Sequence, residues 1–224
     1  MQVGKAHYEG PRDIPDSIPV FPLAGALLLP RGQMPLNIFE PRYLAMVDEA
    51  MAGNRLIGMI QPAGTAPAGD EPALSTIGCV GRVTSYAETD DGRYMICLTG
   101  IARFKLVEEL PGRAGFRICR VSAEAFSSDF AENAGAEAVD RAKLLDVFRA
   151  YLKANRLEAD WDNIGRTSNE TLVNALSMMS PYGPAEKQAL LEAADLRARA
   201  ETLIALTEMS LARGGDGGPS PLLQ

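Results

Sequence analysis

IPVFPLAGALLLPRGQMPLNIFEPRY occupies residues 18–43, and its prolines divide an apolar run into short pieces. Three extended pieces are predicted, at residues 20–23, 26–29 and 35–39, with glycine-containing turns between them. Proline lacks a backbone donor and forces its predecessor into extended geometry, so each piece should be a short, kinked or edge strand. Pro41 then suits the first turn of a helix, which is predicted to run to Ala52.

The segment that follows carries the pattern of an antiparallel sheet. Residues 56–60 form a wholly apolar strand, and residues 77–87 and 93–106 alternate around Asp90-Asp91-Gly92. An Asp-Gly pair between two alternating runs indicates a β-hairpin. Gly100 interrupts the second run, which predicts a bulge that bends the ribbon. A further strand is predicted at 116–121, after a Pro111-Gly112 turn.

The second half changes to a helical period. Residues 135–153 carry apolar side chains at helical spacing, and Thr167 with Glu170 matches a capping box for the next helix. Core packing is expected for at least one of Met178 and Met179 in that helix. Asp195 can cap a last long helix. The predicted fold class is α+β, in which a mainly antiparallel, barrel-like sheet subdomain with one short helix precedes a small helical bundle.

Four segments are expected along the chain. They are a polar, loosely held N-terminal arm (1–17), the β-rich subdomain (18–126), the helical bundle (127–213) and a disordered glycine- and proline-rich tail (214–224). Residues 62–72 lack periodicity and are predicted to form a mobile surface loop.

Composition restricts the partners. The 224-residue chain has a formal net charge of −7, which argues against nucleic acid because phosphate binding needs a basic face. No apolar run is long enough to suggest a membrane span. The chain starts without the apolar core of a signal peptide. Its three cysteines are interpreted as buried thiols in a reducing cytoplasm.

Three ordered matches resemble the N-terminal substrate-binding domain of the Lon proteases. The first runs from PVFPL through MPLNIFEPRY to RLIGMIQP, and the second is GCVGRVTSYAETDDGRYMICLTGIARFKLVEEL. The third is EKQALLE at residues 186–192, similar to a helix start in that family. The resemblance covers about residues 18–209, and it implies the fold of that domain and a role in binding protein substrates.

Sequence motifs for catalysis are missing. The sequence contains no G-x-x-x-x-G-K-[ST] loop, no G-x-S-x-G elbow, no C-x-x-C and no H-x-x-x-H, and its single histidine is His7 in the arm. We therefore expect no enzyme activity, no cofactor and no metal site.

The resulting hypothesis is a non-catalytic module that binds protein or peptide, including unfolded segments. A structural or assembly role, as a homo-oligomer or an accessory subunit, stays open, as does an enzyme that uses an unrecognised carboxylate or lysine. Arg31 and Met34 are candidate contacts in a turn, and Met178 and Tyr182 are candidates for an adaptable apolar surface. Glu40 and Arg42, at the strand-to-helix corner, are candidates for ligand contact or for hydrogen bonds that fix the corner.

Overall fold

The computed structural model describes residues 1–64, 71–113 and 115–214, which form two compact units. The first unit is Met1–Glu132 and the second begins at Asn133. This division falls a few residues beyond the boundary expected at 126/127. The core of the expected mobile loop and the tail after Gly214 lie outside the described residues.

Five strands of the first unit close into a mixed β-barrel. They are β3 (Ser17–Pro22), β5 (Leu56–Pro62), β6 (Leu74–Glu88), β7 (Tyr94–Arg113) and β8 (Phe116–Ser122). Going round the barrel, β3 pairs parallel with β5, β5 with β6, β6 with β7, β7 with β8, and β8 returns to β3. The strand β4 (Gln33–Ile38) lies outside this ring and pairs with the first part of β7. Helix α1 (Pro41–Ala52) follows β4, with the predicted bounds. The α+β fold class is confirmed.

The hairpin and the bulge are also confirmed. Gly92 has a φ of 79° in the turn between β6 and β7, a conformation that glycine adopts without strain. The pairing shifts between Val80 opposite Ala102 and Gly81 opposite Gly100, which leaves Ile101 as the extra residue. Strand β7 continues past the expected Pro111-Gly112 turn to Arg113, because Leu110 still pairs with Ile118 of β8.

Residues 26–29 do not form the predicted strand. Leu27, Leu28 and Leu29 are buried in a connection that pairs with no strand. The Leu29 carbonyl oxygen instead lies against Gly100, where a Cβ atom would come within 2.1 Å of it. The apolar run therefore marks buried side chains rather than a ladder.

The N-terminal segment is not a loose arm. Strands β1 (Gln2–Val3) and β2 (Ala6–His7) form a short hairpin that is followed by a 3-10 turn at Pro11–Asp13. Val3, Tyr8 and Ile14 are buried in the core cluster of the barrel. Three separated apolar side chains hold this otherwise polar segment, because each one is removed from water against the barrel.

The second unit is helical. Its helices are α2 (Arg141–Ala154), α3 (Trp161–Arg166), α4 (Asn169–Met179), α5 (Pro184–Glu192) and α6 (Leu196–Gly214). Helix α2 starts later than predicted, because a 3-10 turn at Ala136–Ala138 precedes the Asp140 side chain that caps it. Asp195 accepts a hydrogen bond from the Ala198 amide at 2.8 Å, as predicted for the cap of α6.

The predicted capping box is displaced by one residue. Ser168, not Thr167, caps α4, and its hydroxyl accepts a hydrogen bond from the Thr171 amide. The Thr167 hydroxyl instead donates to the Asn163 carbonyl of α3, while the Glu170 carboxylate accepts from the Asn133 amide at 2.7 Å. A preceding helix and a distant amide thus compete for the two predicted capping groups.

Candidate peptide-binding site

Strand β4 has an open outer edge. Its residues pair antiparallel with β7 in a register that runs from Gln33 opposite Thr99 to Ile38 opposite Tyr94. Within the part of the first unit that the structure describes, β7 is the sole strand paired with β4. An unpaired edge exposes a row of backbone donors and acceptors that a second chain can use.

The phase of the ladder fixes which backbone groups point outward. The Gly100 amide donates to the Gly32 carbonyl at 2.9 Å, so the register continues to this pair. Residues of an antiparallel strand point alternately toward and away from their partner. The even-numbered residues of β4 therefore bond to β7, and Gln33, Pro35 and Asn37 direct their backbone groups away from it. All three are exposed.

Apolar side chains accompany this edge. Phe39, directly after β4, is 63% exposed, and Met95, opposite Asn37 on β7, is 45% exposed. Met34 and Leu36 are half-buried and lie on the opposite face of the sheet from Asn37. We call the outer edge of β4, together with Met34, Leu36, Phe39 and Met95, the β4 strip.

The predicted residue Met34 lies in this strip, but Arg31 does not present a free side chain. The Arg31 guanidinium donates to the carbonyl oxygens of Asp129 at 2.9 Å and Ala131 at 3.3 Å. Its backbone has a φ of 64°, and its amide donates to the Gly100 carbonyl. Arg31 therefore ties the connection before β4 to the end of the first unit.

Glu40 and Arg42 are brought together at the start of α1. The Arg42 Nε donates to Glu40 Oε2 at 3.0 Å, and its guanidinium also lies 3.3 Å from Glu71 and over the Tyr43 ring. Glu40 caps the helix by position without a side-chain bond to its amides. Burial raises the pKa of the Tyr43 hydroxyl. The corner is fixed by arginine hydrogen bonds between half-exposed side chains, which contribute little to stability singly.

A small cleft of about 150 Å³ adjoins this corner. Its lining includes Pro22, Tyr43, Phe116 and Arg117. The Arg117 guanidinium bonds to the Glu109 carboxylate and, at 2.7 Å, to the Pro72 carbonyl. Among the described lining residues, the two arginines Arg42 and Arg117 are each paired with carboxylates and so do not favour an anionic ligand.

Met178 and Tyr182 belong to the second unit, whereas the β4 strip belongs to the first. The Tyr182 hydroxyl is hydrogen-bonded to Thr207 at 2.8 Å, and burial raises its pKa. Lys187, in the EKQ match, donates to the carbonyls of Ser177 and Met178 at the end of α4, and burial lowers its pKa to about 8. These side chains stabilise the helix end and its connection to α5.

Neither methionine at the end of α4 is fully buried, although at least one of the two was expected in the core. Met178 is half-buried, and Met179 is 77% exposed because it is the last helical residue. Trp161 is 37% exposed, with its ring edge-on to Phe148 and the Arg149 guanidinium 4.6 Å above it.

Sequence reasoning missed Phe39 and Met95. A signal for Met95 existed, since the alternation of β7 places it on the face opposite Ile96 and Leu98. Phe39 stands inside the quoted run, where nothing local distinguishes it from the buried Ile38. Exposure there depends on what the rest of the unit covers.

Two features are absent from the residues that the structure describes, namely a group of metal-ligating side chains and a membrane-spanning helix. Across the ranges 1–64, 71–113 and 115–214, no three His, Cys, Asp or Glu side chains are grouped as metal ligands. No helix in those ranges is both long and apolar enough to cross a bilayer.

Solved structures share this combination of barrel and helices. The Lon N-terminal domain protein from Xanthomonas campestris superposes with a TM-score of 0.59 and 21% identity, over 84% of this chain and 97% of that one. The N-terminal domain of Mycobacterium avium complex Lon protease gives a TM-score of 0.63 and 18% identity, over 86% and 98%. At these identities the likeness defines the fold: a β-barrel followed by a helical region, as in Lon N-terminal domains.

The family follows from the sequence match. Residues 17–208 match the model of the ATP-dependent protease La (LON) substrate-binding domain, and the chain belongs to this family. Lon protease 2 of Sorangium cellulosum is 26% identical over 88% of this chain, and the Lon protease of Desulfosudis oleivorans is 33% identical over 41%. The chain spans 25% of the first relative's length and 12% of the second's.

Proposed function

We propose that this chain is a non-catalytic module that binds unfolded or otherwise exposed apolar segments of proteins through the β4 strip. Membership in a substrate-binding family implies protein substrates. The observation that carries the proposal is the coincidence of an open strand edge with exposed Phe39 and Met95. Backbone groups and apolar surface are what an unfolded segment offers and a folded one hides.

Binding of this kind has a defined thermodynamic form. Burying apolar area contributes roughly 25 cal/mol per Å² before the cost of ordering the ligand. Association should therefore show a negative heat-capacity change and weak salt dependence. Recruitment through the net negative charge of the chain would instead weaken steeply as salt rises.

A reducing compartment such as the cytoplasm fits the buried Cys119, whose pKa burial raises to about 11.

Calorimetry with one model protein, in reduced and carboxymethylated unfolded form and in native form, tests the proposal. We expect a dissociation constant on the order of 1 μM for the unfolded form, none measurable for the native form, and little change with salt. A Phe39→Ser/Met95→Ser variant should bind at least about tenfold more weakly. Val107→Ser is the matched control, because Val107 is 54% exposed at a bulge of β7 where that strand pairs with β8.

Three results would contradict the proposal: equal binding of native and unfolded protein, loss of binding in salt, or equal weakening by the Val107 control. Gel filtration of each variant first measures self-association, which separates binding from the assembly role. Thermal unfolding checks that the exposed substitutions leave the fold intact.

A further inference from the structure

We infer that the β4 strip takes up its ligand as an added β-strand, and that it selects segments with apolar residues at alternate positions. This inference rests on the proposed function and specifies its ligand. It concerns the conformation of the bound segment and the spacing of its side chains.

The backbone of β4 presents the hydrogen-bonding pattern of a strand edge. Gln33 and Asn37 each direct an amide and a carbonyl outward, and Pro35 directs a carbonyl alone, because they alternate with the residues that bond to β7. An extended antiparallel segment beside β4 would form two hydrogen bonds with Gln33 and two with Asn37. Pro35 has no amide to donate, so the segment would form one hydrogen bond, to the Pro35 carbonyl. A helical segment satisfies its own amides and carbonyls and cannot use this edge.

The side chains of β4 set the spacing. Met34 and Leu36 are half-buried on one face, whereas the exposed Gln33, Pro35 and Asn37 occupy the other. Residues of an added strand that stand opposite Met34 and Leu36 would complete their burial, and these two ligand residues are separated by one position. The residue between them stands opposite Pro35 and can be polar, whereas a ligand residue opposite Asn37 lies on the face that carries Met95. The favoured ligand therefore alternates apolar and polar residues. Segments that form half-buried strands in folded proteins have this pattern, and unfolding exposes them.

Pro35 disfavours a second copy of this chain as the occupant. Two β4 edges paired antiparallel would place Pro35 against Pro35, or against Gln33 or Asn37 of the other copy, in every register with more than one hydrogen-bonding pair. Both copies then lack a donor at the contact, so self-pairing loses two bonds where a foreign strand loses one. Proline on an edge strand is a recognised defence against such association.

Backbone methylation of a peptide ligand tests the inference without altering the protein. The probe is a seven-residue peptide with valine at alternate positions and threonine or lysine between them, measured by fluorescence anisotropy. Methylating the amides on one edge of this strand should lower affinity at least tenfold, and methylating the other edge should change it less than twofold. A peptide of the same composition with its valines adjacent should bind at least fivefold more weakly.

Substitutions on β4 give an independent measurement. Asn37→Pro removes an outward amide that does not bond to β7, and it should weaken the alternating peptide several-fold. Asn37→Ala keeps the amide and should therefore weaken binding less than Asn37→Pro does. Pro35→Val restores an outward donor, so it should tighten peptide binding about threefold and increase self-association above that of the unsubstituted chain.

The outcomes separate the two proposals. If the unfolded model protein binds but methylation of either edge has the same effect, the added-strand inference is wrong and the proposed function stands. If neither the unfolded protein nor the peptide binds, both are wrong. Edge-selective loss together with the Asn37→Pro effect supports both.

Discussion

The first part of β7, residues 94–99, differs from its middle, residues 101–104, in exposure to solvent. Residues 94–99 lie between β4 and β6, with Met95 exposed to solvent, whereas Ile101, Ala102, Arg103 and Phe104 are fully or almost fully buried in the closed barrel. The bulge at Ile101 separates the two regions. One strand therefore contributes both to a closed ring, in which every strand has two neighbours, and to an extension that ends in an open edge. Residues 101–104 are buried on both faces, whereas residues 94–99 are buried on the face of Ile96 and Leu98 and exposed at Met95 on the other.

The largest effect is expected from breaking the closed region at Asp129. Its carboxylate accepts hydrogen bonds from the Arg103 amide at 2.9 Å and from the Arg103 guanidinium at 2.8 and 2.9 Å, and both side chains are buried. Asp129→Ala removes the carboxylate that pairs with the buried Arg103 guanidinium, which should lower the free energy of unfolding by about 3–5 kcal/mol. Chemical denaturation measures this loss.

Glu108→Ala provides the control, since the Glu108–Arg120 pair is half-exposed and should cost less than about 1 kcal/mol. Similar losses in the two variants would show that the buried Arg103–Asp129 pair stabilises the protein no more than the exposed Glu108–Arg120 pair does.

An intermediate effect is expected at the boundary itself. A Cβ on Gly100 would meet the Leu29 carbonyl oxygen at 2.1 Å, and backbone cannot move aside as a flexible side chain does. Gly100→Ala should therefore destabilise the protein by about 1–3 kcal/mol through overpacking. Gly10→Ala, where nothing lies within 4 Å of the added Cβ, should change stability by less than about 0.5 kcal/mol. If Gly100→Ala is as neutral as this control in thermal unfolding, Leu29 does not constrain the bulge.

The smallest effect is expected in the open region. Met95→Ser should change the free energy of unfolding by less than about 0.5 kcal/mol, because the side chain is already 45% exposed. The neighbouring Ile96 is 3% exposed and lies on the other face. Ile96→Ser should therefore lower the free energy of unfolding by about 2–5 kcal/mol. Equal losses by denaturation would mean that Met95 is covered in solution.

Local signals predicted much of this fold. Asp91-Gly92 specified the hairpin because Gly92 adopts a positive φ, and Pro41 specified the start of α1 because its fixed φ suits a helix. Gly100 specified the bulge, where the Leu29 carbonyl leaves no room for a Cβ. Residues 26–29 were mistaken for a strand because an apolar run looks the same whether it pairs or packs. Thr167 and Ser168 could both cap α4, and the choice depends on where α3 ends.

The candidate site was less accessible to sequence reasoning. Met34 was expected in a turn but lies within β4, and its contact with a ligand stays a prediction. The open edge of β4 exists because this strand lies outside the closed ring, which is a property of the whole topology. Arg31 looked exposed because its acceptors, the carbonyls of Asp129 and Ala131, lie about a hundred residues away in sequence. Long-range contacts of this kind have no local signature.

Closure of the barrel through β3 and β8 also sets the order of events during synthesis. Ser17 pairs with Arg120, so the ring joins segments separated by most of the first unit. Bringing such distant segments together costs chain entropy, and proteins with contacts between distant segments fold more slowly. A ribosome must therefore release β8 before β3 gains its second neighbour, and Asp129 must follow before Arg103 is neutralised. Until then the nascent chain holds β3 as an unpaired edge, the stage at which it is most open to aggregation.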